Sequence, residues 1–257
     1  MPFLDADILF NEGIWGRVIE TQEPLFRKAA LVEISDRLRS DFYNGHEPGR
    51  SMPVIARNDW STDLLSPYED RTIGYDLPCL LSANRPTKGR VMLCAQDPRR
   101  NDGPAELTVG TFFGLDDNRL RTGKRHFGYF WALIRSCVMA GYDVWVTDAI
   151  KVFAGKDVLR TDPKLRELCF NILREEVNAF APDKVLAIGR DARDALDQSG
   201  LSGHFSYAKH PNGQRSKNWQ LEGATKTYPA TAEGRFEAKT HFYCRALFGS
   251  DTPPSLA

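Results

Sequence analysis

Four short apolar runs punctuate the chain after residue 90, and each stops at a polar or turn-forming group. Val91-Met-Leu-Cys-Ala95 runs into Gln96-Asp97-Pro98, Val144-Trp-Val-Thr147 into Asp148, Val185-Leu-Ala-Ile188 into Gly189, and Phe205-Ser-Tyr-Ala208 into Lys209-His210-Pro211. Runs of this length, rich in large and β-branched residues and closed by Gly, Pro or Asp, predict buried strands over 90–95, 143–148, 184–188 and 203–208. Apolar positions at helical spacing predict helices over 126–140, 163–180, 190–198 and 232–247. Strands alternating with helices imply an α/β fold: a three-layer α/β/α sandwich around a central four-stranded, mostly parallel sheet.

The first 75 residues read differently. Pro24 opens an amphipathic stretch carrying Leu25, Phe26, Ala29, Leu31, Val32, Ile34 and Leu38, and Gly45 to Ser61 is rich in Gly, Pro, Asn and Asp, as loops are. The expected organisation is therefore a helical amino-terminal appendage over 1–75, an α/β domain over 76–250 and a tail over 251–257.

Composition narrows the function classes. The 257 residues carry 34 Lys and Arg against 34 Asp and Glu, so net charge neither demands nor excludes nucleic acid. Basic clusters at Arg85 to Arg90, Arg99-Arg100, Arg119 to Arg125 and Lys209 to Lys217 lie mostly beside the strand ends. No apolar run approaches the roughly 20 residues a bilayer crossing needs, and no secretion signal opens the chain, so a cytoplasmic location without membrane contact is expected. Cys79, Cys94, Cys137, Cys169 and Cys244 are scattered without metal-ligand spacing, which predicts buried free thiols. Ile188-Gly-Arg-Asp-Ala192 supplies one glycine where a pyrophosphate-binding turn needs several, and no P-loop is present.

In an open parallel sheet, ligands bind beyond the carboxyl ends of the strands. Asp97 alone reads as a turn cap before proline, and His210 alone as an ordinary surface or core histidine. Together with Gly110-Thr-Phe-Phe113, Thr147-Asp-Ala-Ile-Lys151 and His210-Pro-Asn-Gly213, the run Gln96-Asp-Pro-Arg-Arg100 resembles, in order and spacing over about residues 85–249, the motifs of the uracil-DNA glycosylase superfamily. The resemblance implies that Asp97 positions or activates water, Phe113 stacks on a flipped base, and His210 donates to the base O2 in the transition state. It also implies base contacts for Gln96, Asp148 and Arg99, and DNA contacts for Arg100, Lys151, Asn212, Arg215 and Lys217. Residues 1–75 lie outside it. The iron-sulfur branches of that superfamily need four cysteines, and Val152 follows Lys151 where one ligand would sit, so no metal cluster and no cofactor are expected.

Two departures bear on the substrate. Asp148 stands where the uracil enzymes carry an Asn; a carboxyl group accepts from the N4 amino group of cytosine and shares a proton with N3, although a neutral acid also rotates to suit uracil. Arg99 stands where the strict uracil enzymes place a tyrosine against C5, which opens room for a substituent; plain phosphate contact explains Arg99-Arg100 equally well. An enzyme excising ordinary cytosine would destroy its host's genome. The expected activity is therefore monofunctional hydrolysis of a 5-modified cytosine, such as the glucosylated hydroxymethyl form of some phage DNA, in antiviral defence, as in a known branch of the superfamily. The alternatives are a repair glycosylase for uracil or another deaminated base, and a non-catalytic DNA-binding module.

Overall fold

In a computed structural model, residues 7–47, 49–100, 103–123, 126–155, 158–211 and 218–254 are described. The strands are β1 (Ile8–Phe10), β2 (Ile73–Leu77), β3 (Cys79–Ala83), β4 (Gly89–Ala95), β5 (Leu107–Thr111), β6 (Tyr142–Asp148), β7 (Val152–Phe153), β8 (Lys184–Ile188) and β9 (Ser206–Ala208). The helices are α1 (Trp15–Val18), α2 (Lys28–Asn44), α3 (Asn118–Arg121), α4 (His126–Ala140), α5 (Val158–Thr161), α6 (Pro163–Phe180), α7 (Arg190–Leu196) and α8 (Ala232–Phe248).

The four expected strands form a parallel set in the order β6-β4-β8-β9. β4, β6 and β8 are buried along nearly their whole length, which is why they read as continuous apolar runs and not as alternating ones. The chain moves from β4 to β6 in one direction and then back across β4 to β8, so right-handed crossovers place the connecting helices on opposite faces. Accordingly α4 packs with α8 on one side, while α6 packs with α7 on the other. The order reverses at β4, and the crevice beyond its carboxyl end is the ligand position this topology favours. Local chemistry fixes the helix ends. Asp162 accepts from the Leu165 N–H (3.0 Å) ahead of Pro163, and Thr231 accepts from the Gly234 N–H (3.0 Å).

The sheet is wider than four strands. β3 adds antiparallel to β6, and β1 adds antiparallel to β3, making six. A second, three-stranded sheet has the order β5-β2-β7, with β2 and β5 parallel. β2 and β3 are separated by Pro78 alone, whose carbonyl accepts the Trp15 indole N–H at 2.9 Å. The amino-terminal segment is thus built into the domain: it supplies β1 and α2, and its Ile8, Phe10, Leu25 and Phe26 are buried in one core that continues to Leu247. The helix expected from Pro24 starts at Lys28, because Leu25 and Phe26 are spent on packing ahead of it, with Phe26 bridged to Trp60. The strand expected over 203–208 is confined to Ser206–Ala208, since the chain leaves α7 through a wide turn over Asp197–Leu201. All five cysteines are buried and free. No helix among the described residues is long and apolar enough to cross a membrane.

Beneath the strand ends lies a buried charged network. Lys151 Nζ donates to Glu176 Oε2 (2.7 Å) and to Thr147 Oγ1 (2.8 Å); Glu176 Oε1 accepts from Gln22 Nε2 (2.5 Å), and Gln22 Oε1 accepts from the Tyr75 hydroxyl (3.2 Å). Lys151 is 2 % exposed and Glu176 fully buried. The expectation that Lys151 touches DNA is therefore corrected: the residue four positions after Thr147 turns inward and spends its charge on Glu176. Lys151→Met leaves Glu176 buried without its cation and should cost about 3–5 kcal/mol in urea unfolding, whereas Lys151→Met/Glu176→Gln should recover about half of that loss. A loss below about 1 kcal/mol for the single variant would mean the pair is not structural.

Candidate active site

β4 and β6 end side by side, Ala95 opposite Asp148. Two backbone bonds carry the pairing past the sheet: the Ala149 N–H donates to the Ala95 carbonyl and the Ile150 N–H to the Gln96 carbonyl, both at 2.9 Å. The turns bearing Asp97 and Asp148 are thereby held as neighbours. Gln96 is seated by Gly189 at the end of β8, where a Cβ would lie 2.2 Å from Gln96 Oε1 and where φ is +101°. That position requires glycine on both counts.

These strand ends open into a cavity of about 570 Å³, whose wall includes Asp97, Asp148, Gln96, Arg99, Phe113 and His210. The acid and the imidazole expected to work together therefore face one space. Phe113 reaches it from a left-handed backbone conformation (φ 49°, ψ 26°), unusual for an aromatic residue. Its ring stacks on Phe130 (centroids 4.6 Å apart, 21°), meets Phe112 edge-on (4.8 Å, 86°) and lies near-parallel to His210 at 6.1 Å. The Tyr243 hydroxyl donates to the Lys209 carbonyl at 3.0 Å, tying the loop before His210 to α8.

Three carboxyl groups crowd the inner end. Asp148 is 5 % exposed, and burial together with the charges of Asp76 and Asp97 pushes its carboxyl far above the usual range, against the weaker pull of Lys151 and Arg100. Its Oδ2 is buried and has no hydrogen-bond partner among the described residues. Asp76 is also raised by burial, opposed by Arg100, whose Nη2 lies 2.6 Å from Asp76 Oδ1, and by a hydrogen bond from Asp148. Asp97 is pushed up to about 6 by burial and by the charges of Asp191 and Asp76, with Arg99 pulling the other way.

Of the remaining site residues expected from the sequence, Arg99 is exposed on the cavity wall. Arg100 is not a free phosphate contact, which corrects that expectation. Its guanidinium is engaged by Asp76, the Tyr75 carbonyl (2.8 Å), the Pro98 carbonyl (3.0 Å) and Thr108 Oγ1 (3.2 Å). Gly74 makes room for this arrangement, since a Cβ there would sit 2.2 Å from the Pro98 carbonyl oxygen and 2.7 Å from Arg100 Cγ. Asn212, Arg215 and Lys217 lie outside the described residues.

Sequence reasoning missed Asp76 and a polar group on the far wall. There His46 Nε2 lies 2.6 Å from Asp116 Oδ2 and 3.8 Å from Asp41 Oδ2, Arg50 pairs with Asp41, and the Thr111 hydroxyl donates to Asp116 Oδ1 at 2.5 Å. Asp41, His46 and Asp116 could present ligand atoms to a metal within 4.8 Å of one another, but Arg50 and Thr111 already satisfy two of the three. Asp76 falls in Ile-Gly-Tyr-Asp-Leu, whose Gly and Asp mask a strand, and His46 in a loop; only their long-range placement reveals them.

Because folding raises the Asp97 pKa, the folded state holds this proton more tightly, so Asp97 opposes folding least below about pH 4 and most above about pH 6. Asp97→Asn should stabilise the fold at pH 8 by about 1–2 kcal/mol once partial exposure is allowed for, seen as a higher Tm, and the gain should vanish by pH 4 in a series of thermal melts. A gain independent of pH would contradict a charge-burial origin. The chain matches no protein-family model, and no curated protein matches it.

Proposed function

We propose that the protein is a monofunctional DNA glycosylase that hydrolyses the N-glycosidic bond of a flipped-out, 5-substituted cytosine and leaves an abasic site. The observation that carries this reading is the convergence of Asp97 and His210 on one cavity, with the buried Asp148 beside them. Breaking the glycosidic bond builds positive charge on the sugar and negative charge on the departing base, so a carboxylate and an imidazole on either side stabilise both halves of the transition state. Asp97 in its ionised form also orients the water that adds to the sugar.

The Phe113 ring offers a stacking face, and Asp148 offers the base edge a carboxyl oxygen. The cavity is much larger than one pyrimidine ring and continues past Gly110 toward His46 and Arg50, which suits a base carrying a polar group on C5. Arg99 at the mouth, together with the sequence resemblance to the uracil-DNA glycosylase superfamily, supports a DNA substrate. The 5-substitution is what separates foreign DNA from the host's own, in keeping with an antiviral role.

Duplexes carrying uracil, cytosine, hydroxymethylcytosine or glucosylated hydroxymethylcytosine should be incubated with the protein and scored for alkali-labile sites. Strand breaks only at a modified cytosine are expected. Breaks only at uracil would instead support the repair reading, and binding with no break in any duplex would support a non-catalytic module. Asp97→Asn should lower the rate by a factor of about 10²–10⁴. The wild-type rate should fall about tenfold per pH unit below about pH 6, as Asp97 takes up its proton.

A further inference from the structure

The far wall of the cavity comes from the amino-terminal segment, the part of the chain that the sequence resemblance leaves out. His46, Arg50, Ser51 and Met52 follow α2 on a loop that is fastened along its length. The Gly45 N–H donates to the Asp41 carbonyl at 2.8 Å, the Arg37 guanidinium to the Ser51 carbonyl at 2.6 Å, and the Val109 N–H to the Pro53 carbonyl at 2.8 Å. The polar side chains of the loop are thereby held at the cavity.

Two of them have surface to offer a ligand. The side chains of His46 and Arg50 are 23 % and 22 % exposed and line the cavity, whereas Asp116 and Asp41 behind them are buried. Arg50 gives one N–H to Asp41, and its other side-chain donors have no hydrogen-bond partner among the described residues. His46 Nε2 lies 2.6 Å from Asp116 Oδ2, which fixes the ring hydrogen there. Nδ1 of the neutral ring is then an acceptor, and it too has no hydrogen-bond partner among the described residues. Met52 is exposed on the same wall, and its Cε lies 3.2 Å from where a Cβ on Gly110 would stand, a point 2.9 Å from Asp76 Oδ1 and 3.0 Å from Arg100 Nη2. The far wall and the inner end therefore meet at Gly110.

We propose that Arg50 and His46 form the subsite that reads the substituent on C5, and that this subsite takes a neutral group rich in hydroxyls in preference to a charged or purely apolar one. A hydroxyl both accepts and donates, so it answers the spare N–H groups of Arg50 and the Nδ1 of His46 together. An anion finds carboxyl groups directly behind both residues, and a third in Asp117, held by Arg119 at 2.7 Å. A cation meets the Arg50 guanidinium. Neither sign of charge is complementary to the wall. Met52 offers an apolar surface to the C–H face of a hydroxylated ring.

The inference rests on reading this cavity as a base pocket, but its test needs no turnover. Ligand-observed NMR can compare 2′-deoxycytidines whose C5 group is methyl, glucosylated hydroxymethyl, carboxyl, aminomethyl or phenoxymethyl, the last matching the sugar in ring size without its hydroxyls. Wild type should bind the glucosylated nucleoside at least about tenfold more tightly than the methyl one, the gain expected of one or two hydrogen bonds to a charged donor. The other three should bind no better than the methyl form. Asp41→Asn/Arg50→Gln replaces the ion pair by an amide pair, so that no buried charge is left unpaired, and should shrink the preference to within about threefold. His46→Gln, which keeps a donor toward Asp116 and removes Nδ1, should also reduce it.

Tightest binding of the carboxyl, aminomethyl or phenoxymethyl nucleoside, equal affinities, binding of none, or an undiminished preference in the folded variants would overturn the proposal. A preference for the glucosylated nucleoside in a protein that leaves no abasic site in any duplex would sink the glycosylase reading while leaving this subsite standing. Abasic sites without the preference would do the reverse.

Discussion

Two backbone hydrogen bonds organise this molecule's chemistry. By joining the turn after β4 to the turn after β6, the bonds from Ala149 and Ile150 to the carbonyls of Ala95 and Gln96 carry the parallel register beyond the sheet. Carboxyl groups that would otherwise drift apart on separate loops are kept close, and the electrostatics follow. Burial, and then the neighbouring carboxyl charges, raise Asp97 and Asp148, and Arg100 pairs with Asp76.

Such an arrangement opposes stability locally, and the fold offsets it elsewhere. A stacked aromatic group, Phe113, Phe130, Tyr129 and Tyr243, supports one side of the cavity. The Lys151–Glu176 pair joins the turn after β6 to α6 and reaches Gln22 in the amino-terminal segment. Functional sites are where strain and uncompensated charge collect, because affinity and reactivity depend on groups that are not fully satisfied by the protein itself.

The central strands and the long helices were legible because their signals are local. A buried parallel strand is an unbroken apolar run, and α6 carries both its Asp cap and its leading Pro in the sequence. The smaller sheet was not legible. β2 contains Gly74 and Asp76, β5 contains Gly110, and each owes its conformation to a partner more than thirty residues away. The same division holds at the site. Asp97, Asp148 and His210 followed from their places after strands and Phe113 from the sequence resemblance alone, whereas Asp76, His46 and Asp116 meet the cavity only through tertiary packing. Lys151 shows the limit of reading by position: a basic residue near a strand end gives no sign of whether it points out to solvent or back into the core.

The passage from β2 to β3 through Pro78, with Trp15 fastened to its carbonyl, has a mechanical corollary. Asp76 stands on one sheet and Asp148 on the other, and the chain passes between the sheets through one residue whose φ is fixed by its ring. Pro78 thus joins the strand that carries Asp76 to the sheet that carries Asp148 by the shortest possible path. At that point the cavity's two walls are one continuous piece of chain, and any guest meets them as a single surface.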